Sequence, residues 1–388
     1  MSKLEECILG DLVEFQRGYD LPKSKFVEGK YPVQSSNGIL GYHNEYKVEG
    51  PGITIGRSGT VGTPHLIREN FFPHNTSLFV KEFKGNDIEY IYYLLQYLDL
   101  GNQKSGSGVP TMNRNHLHPI KIRAYRDKTY QQRTIKILSL IDKKIQINNQ
   151  INQELEAMAK TLYDYWFVQF DFPDENGKPY KSSGGKMVYN DQLKREIPEG
   201  WGVDSLWNIA TFYNGLAMQK FRPASETDEC LPVIKIREMF SGFSKDTEKA
   251  STTIPKEAII EAGDILFSWS ATLEVILWGG EKGALNQHIF KVTSEKYPKS
   301  FIYNELRSYL KVFKTIAELR KTTMGHITQD HLKQAMIIVP PNDLIDEIHN
   351  RISHILKQQL DLKQQNQELT QLRDWLLPML MNGQVKVD

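Results

Sequence analysis

The feature that most constrains this 388-residue chain is that its second half repeats its first half in the same order. The matched pairs are Phe15 with Phe212, Gly18 with Gly215, Pro32 with Pro232, Val33 with Val233, Asn75 with Asn286, Leu78 with Ile289, Phe79 with Phe290, Ile91 with Ile302, Tyr92 with Tyr303, His116 with His331 and Leu117 with Leu332. The tetrapeptide NQEL closes the series at residues 152–155 and 366–369. Because the order is kept with little drift, the repeat indicates a duplicated pair of units, and its period is too long for a solenoid.

The amino-acid composition of each half changes along its length. Its first part is rich in Gly, Pro and short β-branched or aromatic runs, which predict mixed α/β domains. Its last part is filled with Gln, Lys, Glu, Leu and Ile and lacks Gly and, before Pro378, Pro, which predicts one long helix. Together these segments predict an α+β fold. Its predicted parts, in chain order, are a first domain at 1–126, a first long helix at 127–167, a linker at 168–200, a second domain at 201–341, and a second long helix with the tail at 342–388.

The two helical segments carry a seven-residue repeat. Its seam positions are Leu138, Ile141, Ile145, Asn148, Asn152, Leu155, Ala159 and Leu162, and in the second copy Ile352, Ile355, Gln359, Leu362, Asn366, Leu369, Arg373 and Leu376. The chain order requires that two seams that meet pair antiparallel, giving a dumbbell with a rod of about 60 Å. Asn152 and Asn366 are then candidates for fixing the helix register. The alternative is two separate amphipathic helices, each packed on its own domain.

The balance of charges and the two cysteines indicate what kind of surface and compartment to expect. The 48 Lys and Arg nearly balance the 47 Asp and Glu, so any surface that binds nucleic acid has to be local. Cys7 and Cys230 are far apart and have no metal-ligand spacing, which favours a reducing compartment. With no apolar signal segment and no run long enough for a membrane helix, we expect a cytoplasmic protein.

Common catalytic motifs are missing from the sequence. There is no phosphate-binding glycine loop with Gly-Lys-Ser/Thr, no paired metalloprotease histidines, and no Asn/Asp-Pro-Pro-aromatic signature of an amino-methyltransferase. The segment PDENGK at 173–178 lacks the spacing of a nuclease carboxylate cluster and predicts a turn. We therefore expect neither a catalytic site nor a metal site.

Four segments resemble the specificity subunits of type I restriction-modification enzymes. The most specific is the linker LYDYWFVQFDFPDENGKPYKSSGGKMVYNDQLKREIPEGW at 162–201, followed by LLPMLMNGQVKV at 376–387. GRSGTVG at 56–62 and NQHIFKV at 286–292 are similar to parts of the target-recognition domains of that family.

The resemblance implies an architecture and a set of partners. Two target-recognition domains would each read one half of a split DNA sequence, held by two antiparallel helices on which two methyltransferase subunits dock. A translocating restriction subunit would join that complex. The chain itself would bind no cofactor, because S-adenosylmethionine belongs to the methyltransferase partner, and it would not be a catalyst.

Candidate DNA contacts lie in the Gly-rich or polar loops of both domains, where Arg, Lys, Asn and Gln can reach phosphates and base edges. In the first domain they are Arg17, Gln34, Asn37, Arg57, Lys104, Asn113 and Arg114. In the second they are Lys220, Arg222, Lys235, Arg237, Arg320, Lys321 and His326. For each residue alone, a solvated surface charge or a turn residue is an equal alternative. The loops differ between the copies, which predicts two different half-sites.

Other matched residues favour structural roles. His116 and His331 each precede an apolar Leu, and Asn75 and Asn286 suit turn capping. The aromatic cluster at residues 163–172 is interpreted as packing at a helix end, with partner docking as the alternative. Two other functions stay open: a self-sufficient modification or restriction enzyme, and a coiled-coil adaptor that does not bind DNA.

Overall fold

The computed structural model describes residues 4–102, 112–225, 227–319 and 325–385. Its contacts divide the chain into two compact units, Met1–Ile145 with Leu369–Asp388 and Gln146–Glu368. Each unit takes helical segments from both halves of the sequence. Within the described ranges, no helix is both long enough and apolar enough to cross a membrane.

The first unit is built mainly of short strands. They are β1 Glu5–Ile8, β2 Glu14–Arg17, β3 Tyr31–Ser35, β4 Gly38–His43, β5 Gly52–Gly56, β6 Pro64–Ile67, β7 Phe72–Pro73, β8 Ser77–Glu82 and β9 Lys121–Ala124. Antiparallel pairing orders one sheet β2-β8-β5-β6, and β1 pairs with β9. A third sheet has the order β4-β3-β7, with β3 and β7 parallel.

The helices of the first unit bury one face against these sheets. They are α1 Ile88–Leu98, α2 Arg114–Leu117 and the first part of α3 Lys128–Phe167. The Asp87 carboxylate caps α1 by accepting a hydrogen bond from the Tyr90 amide at 3.0 Å. Phe15, Ile53 and Tyr90 share one core with Leu138 of α3 and Leu380 near the C-terminus. The beginning of the first long helix and the end of the second therefore both contribute to this core.

The second unit repeats the sheet arrangement of the first. Its strands are β10 Met187–Asn190, β11 Arg195–Pro198, β12 Gly202–Ser205, β13 Thr211–Asn214, β14 Cys230–Ile234, β15 Lys249–Ser251, β16 Ile259–Ile260, β17 Ile265–Ser268, β18 Glu274–Leu277, β19 Gly283–Leu285, β20 Ile289–Thr293 and β21 Met336–Val339. The order β13-β20-β17-β18 corresponds to β2-β8-β5-β6, and the parallel pair β14-β19 corresponds to β3-β7. Likewise, the antiparallel pair β12-β21 corresponds to β1-β9. The internal repeat read from the sequence is therefore present in the strand pairing.

The helices of the second unit contribute to two cores, the larger of which holds the predicted aromatic cluster. They are α4 Leu206–Ile209, α5 Ile236–Ser241, α6 Lys299–Leu319, α7 Gln329–Gln334 and most of α8 Asn342–Met381, with the second part of α3. Phe167, Phe170 and Phe172 surround Trp201, with ring centroids 5.0 to 5.7 Å apart. All four belong to the main core, so the cluster is packing, as predicted. Tyr165 is the exception, at 37% exposed.

The two long helices pair antiparallel, as predicted. In the first unit, Arg373 of α8 donates to Asp142 of α3 at 3.1 Å. In the second unit, Asn366 pairs with Asn148 at 2.9 Å and Gln359 donates to the Asn152 carbonyl at 3.2 Å. Residue numbers fall on α8 as they rise on α3, which only an antiparallel pair produces. The alternative of two helices that pack separately is wrong.

The polar middle of this pair is centred on Asn148. Asn148, with no exposed surface, donates to Gln365 at 2.7 Å and to Asn366 at 2.9 Å, and Asn366 donates to Asn149 at 2.8 Å. Among the described residues, the side-chain oxygen of Asn152 is buried without a hydrogen bond. Asn148 therefore lies opposite Asn366 in this antiparallel pair, although the sequence repeat matches Asn366 with Asn152.

Candidate nucleic-acid interface

Polar contacts connect several loops of the first unit into one surface, called here the first loop face. It consists of residues 17–20, 35–38, 57–62 and 74–77. Arg17 forms an ion pair of 3.1 Å with Asp20, and the Asn75 amide donates to the same carboxylate. Asn37 accepts a hydrogen bond from the Thr60 amide at 3.3 Å. Three of the predicted contact residues, Arg17, Asn37 and Arg57, therefore lie on one connected surface.

Arg57 is held at the centre of these contacts by its backbone. Its amide donates to the Thr76 carbonyl at 2.8 Å, and its carbonyl accepts from the Met112 amide at 2.8 Å. The guanidinium donates to the Asn75 carbonyl at 3.4 Å. The side chain therefore leaves a fixed backbone position and remains partly exposed.

The loop that contains Arg57 needs glycine at both of its ends, Gly56 and Gly62. Gly62 donates to the Gly56 carbonyl at 2.9 Å, which closes a compact turn. A Cβ on Gly56 would lie 1.8 Å from the Thr60 carbonyl oxygen, and Gly62 has a φ of +84°. The GRSGTVG segment is thus shaped by backbone geometry that other residues do not tolerate.

Gln34 lies beneath this surface and not on it. Only 3% of the residue is exposed, and its amide donates to the Ser35 carbonyl at 3.2 Å. A register shift in the β3–β4 pairing between Val33 and Gln34 breaks the usual alternation, so the residues from Pro32 to Ser36 are all buried. In this conformation Gln34 supports the loop.

Two more candidates of the first domain, Asn113 and Arg114, lie at the start of α2. Asn113 caps this short helix by accepting from the Asn115 amide at 3.1 Å, and both Asn113 and Arg114 are exposed. Lys104 lies outside the described residues. The Met112 contact with Arg57 joins the segment before α2 to the first loop face.

Backbone hydrogen bonds identify the equivalent surface in the second unit. The Trp269 amide donates to the His288 carbonyl at 3.3 Å, and the Trp269 carbonyl accepts from the Ile327 amide at 2.8 Å. These are the two bonds that fix Arg57 in the first unit. Strand registers agree, because Gly56 pairs with Ser77 as Ser268 pairs with Ile289. Trp269 therefore occupies the backbone position of Arg57.

The same bonds and the strand registers correct three pairs of the sequence repeat. The His74 amide donates to the Gln34 carbonyl at 2.8 Å, and the Asn286 amide donates to the Ile234 carbonyl at 3.1 Å. His74, and not Asn75, is therefore the equivalent of Asn286. Leu78 pairs with Arg17 and Ile55 as Phe290 pairs with Asn214 and Phe267, so Leu78 corresponds to Phe290. The matches of Asn75 with Asn286, Leu78 with Ile289 and Phe79 with Phe290 were each wrong by one residue, because identical or similar letters outweighed the strand register.

The second loop face has an aromatic centre where the first has a guanidinium. It consists of Asn214, Trp269, His288 and His326. The Trp269 indole N–H donates to Asn214 at 2.9 Å, and its ring centroid lies 5.7 Å from that of His288 and 6.5 Å from that of His326. Of these four, sequence reasoning found only His326. The match of FYNG with FQRG could have found Asn214, which stands where Arg17 stands.

Two described basic candidates of the second domain, Lys235 and Arg237, lie outside the second loop face and form ion pairs. Lys235 contacts Glu248 at 2.6 Å, and Arg237 contacts the buried Glu238 at 2.6 Å. The hydrogen bond from Lys235 lowers the pKa of Glu248, and the charge of Arg222 acts in the same direction. Lys220 and Arg222 are exposed beside this group, whereas Arg320 and Lys321 lie outside the described residues.

The matched histidines have different environments. His331, only 8% exposed, accepts from the Thr328 amide at 3.0 Å through Nδ1, which is the predicted structural role. His116 is exposed. In the described part of the chain, no group of three or more His, Cys, Asp or Glu side chains could hold a metal ion.

Comparisons with known proteins agree on one family. A family model described as type I restriction modification DNA specificity domain matches residues 1–157 and 198–371. The MjaIX specificity subunit of Methanocaldococcus jannaschii is 24% identical over 316 residues, covering 77% of this chain and 69% of that protein. The HindI specificity subunit of Haemophilus influenzae is 25% identical over 313 residues, covering 67% of this chain and 68% of that protein. An S subunit from M. genitalium shares the fold, with a TM-score of 0.57, 16% identity, and coverage of 98% of this chain and 96% of that one.

Proposed function

Because this chain belongs to the family of type I restriction-modification DNA specificity proteins, we propose that it is the subunit that selects the DNA sequence for a type I complex. The observation that best supports this function is that the family model matches the chain twice, at residues 1–157 and 198–371. Each matched half contains one of the two loop faces. Each half would read one part of a split site. Since the two faces differ in chemistry, the site would be asymmetric.

The loop faces supply the two kinds of contact that DNA reading needs. Arg17 and Arg57 can reach phosphates or guanine, and Asn37 and Asn75 carry amides suited to adenine. In the second unit, Asn214 offers an amide beside the aromatic group of Trp269. With a formal charge of +1 for the whole chain, affinity for phosphates is modest, so partner subunits would contribute to binding.

The long helices carry apolar side chains that the described residues leave exposed, which supports docking of partner subunits. In the second unit, Ile147, Ile151, Met158 and Tyr165 recur at spacings of one helical face and are 37 to 58% exposed. In the first unit, exposed apolar side chains of the same helices are Ile137, Leu140, Leu372 and Trp375. Apolar surface of this kind is typical of protein interfaces.

The partners we propose are two methyltransferase subunits and a restriction and translocation subunit. S-adenosylmethionine would be bound by the methyltransferase, and this chain would be non-catalytic. The complex would act on chromosomal DNA, which is in accord with the cytoplasmic location expected from the sequence.

The function is tested by co-expressing the chain with its methyltransferase partner and mapping adenine methylation across the host genome. We expect a split, asymmetric motif that is absent when the methyltransferase is expressed alone. Methylation unchanged by this chain contradicts the proposal. Methylation or cleavage by the purified chain alone would favour a self-sufficient enzyme, and the absence of salt-sensitive DNA binding by the complex would favour an adaptor.

A further inference from the structure

We propose that Arg57 and Trp269 are the matched specificity-determining residues of the two units, Arg57 selecting guanine and Trp269 selecting thymine in its half-site. This inference rests on the proposed function and deepens it. It assigns the difference between the half-sites to one backbone position that occurs twice in the chain.

The first step is the equivalence of the two positions. Arg57 directly follows β5 and Trp269 directly follows β17, which are the corresponding central strands of the two four-stranded sheets. Each donates its amide to the carbonyl of the residue that precedes the paired strand, β8 or β20, and accepts from a segment before a short helix. Backbone position is therefore held constant while the side chain changes.

The second step is the chemistry of Arg57. Among the described residues, its guanidinium makes one hydrogen bond, to the Asn75 carbonyl at 3.4 Å, so its other N–H donors are available to a ligand. A guanidinium fits the O6 and N7 acceptors of guanine with two parallel bonds. Asn75 is itself tied to Asp20, which also holds Arg17 at 3.1 Å, so these contacts restrict where the guanidinium can point.

The third step is the chemistry of Trp269. Its single donor, the indole N–H, is used by Asn214 at 2.9 Å, so it has no donor left for a base edge. What it offers is a partly exposed ring beside the rings of His288 and His326. An apolar ring suits the C5-methyl group of thymine, which is the apolar feature of the major groove.

The experiment maps adenine methylation in cells that express the methyltransferase partner with wild-type chain, Arg57→Ala, Arg57→Gln, Trp269→Ala or Trp269→Arg. For Arg57→Ala we expect one guanine of one half-site to become degenerate, with discrimination there lower by roughly 10- to 100-fold. Arg57→Gln should shift that position towards adenine. Trp269→Ala should relax one thymine in the other half only, and Trp269→Arg should favour guanine there. Arg123→Ala, which removes an exposed charge from β9, is the matched control and should leave the motif unchanged.

A variant that abolishes methylation is examined as the purified complex, on DNA duplexes that change one base pair of the wild-type site at a time. Uniform loss over all duplexes, with a salt slope reduced by about one, identifies a phosphate contact and overturns the assignment. An unchanged motif, or changes in both halves, also overturns it. These failures leave the proposed function intact, because that fails only if the wild-type chain directs no split motif.

Discussion

The two loop faces are built on the same backbone and differ in the side chains that it carries. Arg57 in one unit and Trp269 in the other are fixed by equivalent pairs of backbone hydrogen bonds. The amide and carbonyl bonds are both 2.8 Å for Arg57, and they are 3.3 and 2.8 Å for Trp269. Arg17 in one is replaced by Asn214 in the other. The comparison indicates that the scaffold was kept after duplication while the groups able to contact DNA diverged. Recognition can therefore be altered in one unit without rebuilding the other.

The strongest way to break this comparison is to remove a glycine that both units require. A Cβ on Gly18 would lie 2.1 Å from the His74 carbonyl oxygen, and a Cβ on Gly215 would lie 2.1 Å from that of Asn286. We expect Gly18→Ala or Gly215→Ala to lower the free energy of unfolding by about 3 kcal/mol or more, because backbone has to move in each case.

Hydrogen exchange of peptides locates the damage. Amide protection should fall around the loop face of the altered unit and stay unchanged in the other. Gly202→Ala is the matched control, since the nearest atom to its Cβ is 3.8 Å away. Equal loss of protection in both units, or no loss of stability, would refute the independence of the two faces.

A second comparison concerns two buried tyrosines that donate to carboxylates. Tyr93 donates to Asp142 at 2.6 Å, and Arg373 balances that carboxylate at 3.1 Å. Tyr163 donates to Glu305 at 2.5 Å, with no cation paired to Glu305 among the described residues. Burial of the carboxyl group raises the pKa of Glu305 from 4.5 to about 7.

The folded state then binds the proton more tightly than the unfolded state does. Stability should fall as pH rises from 4.5 to about 7, by about 3 kcal/mol, and should level off above it. Glu305→Gln should remove most of this slope in denaturant unfolding at several pH values, whereas Glu175→Gln, in an exposed turn, should keep it. A slope that survives Glu305→Gln assigns the pH dependence to other groups.

The polar layer of the helix pair tests a difference within one unit. Asn366→Ala removes a partner of the fully buried Asn148 and should cost about 1–2 kcal/mol. Asn152→Leu should cost less or stabilise, since its side-chain oxygen has no hydrogen bond to lose. Urea unfolding of both variants measures the two costs, and an equal or larger cost for Asn152→Leu contradicts the assigned pairing. Leu at both 152 and 366 should alter assembly with the partner or the spacing of the methylated motif.

The smallest effect is expected from the paired charges of the second unit. Lys235→Ala removes a partly exposed pair with Glu248, so the unfolding free energy should change by less than about 0.5 kcal/mol. If Lys235 contacts phosphate, the salt slope of DNA binding by the complex should fall by about one while the motif stays the same. A changed motif would make Lys235 a base-reading residue and weaken the role assigned to Trp269.

The sequence predicted the architecture well because long-range patterns determine it. The absence of Gly, and of Pro before Pro378, over two segments predicted the helices that the structure places at Lys128–Phe167 and Asn342–Met381. Chain order then required the antiparallel pairing. The double match of the family model confirms the repeat.

The site could be predicted only in part, because its members are set by strand register. Arg17, at the end of β2, and Asn37 and Arg57, in loops beside glycine, were candidates from the sequence and lie on the first loop face. Gln34 was expected on the surface, yet a β-bulge buries it. Trp269 was missed because an aromatic residue after an apolar strand run indicates core, and only the hydrogen bonds of the backbone reveal its match with Arg57.

The most direct test of two independent readers is the exchange of residues 1–126 for the matching part of another specificity subunit, followed by mapping of adenine methylation in cells that express the methyltransferase partner. The account predicts that one half of the split motif is replaced by the donor's half while the other half is unchanged. A motif in which both halves change, or in which neither does, would contradict it.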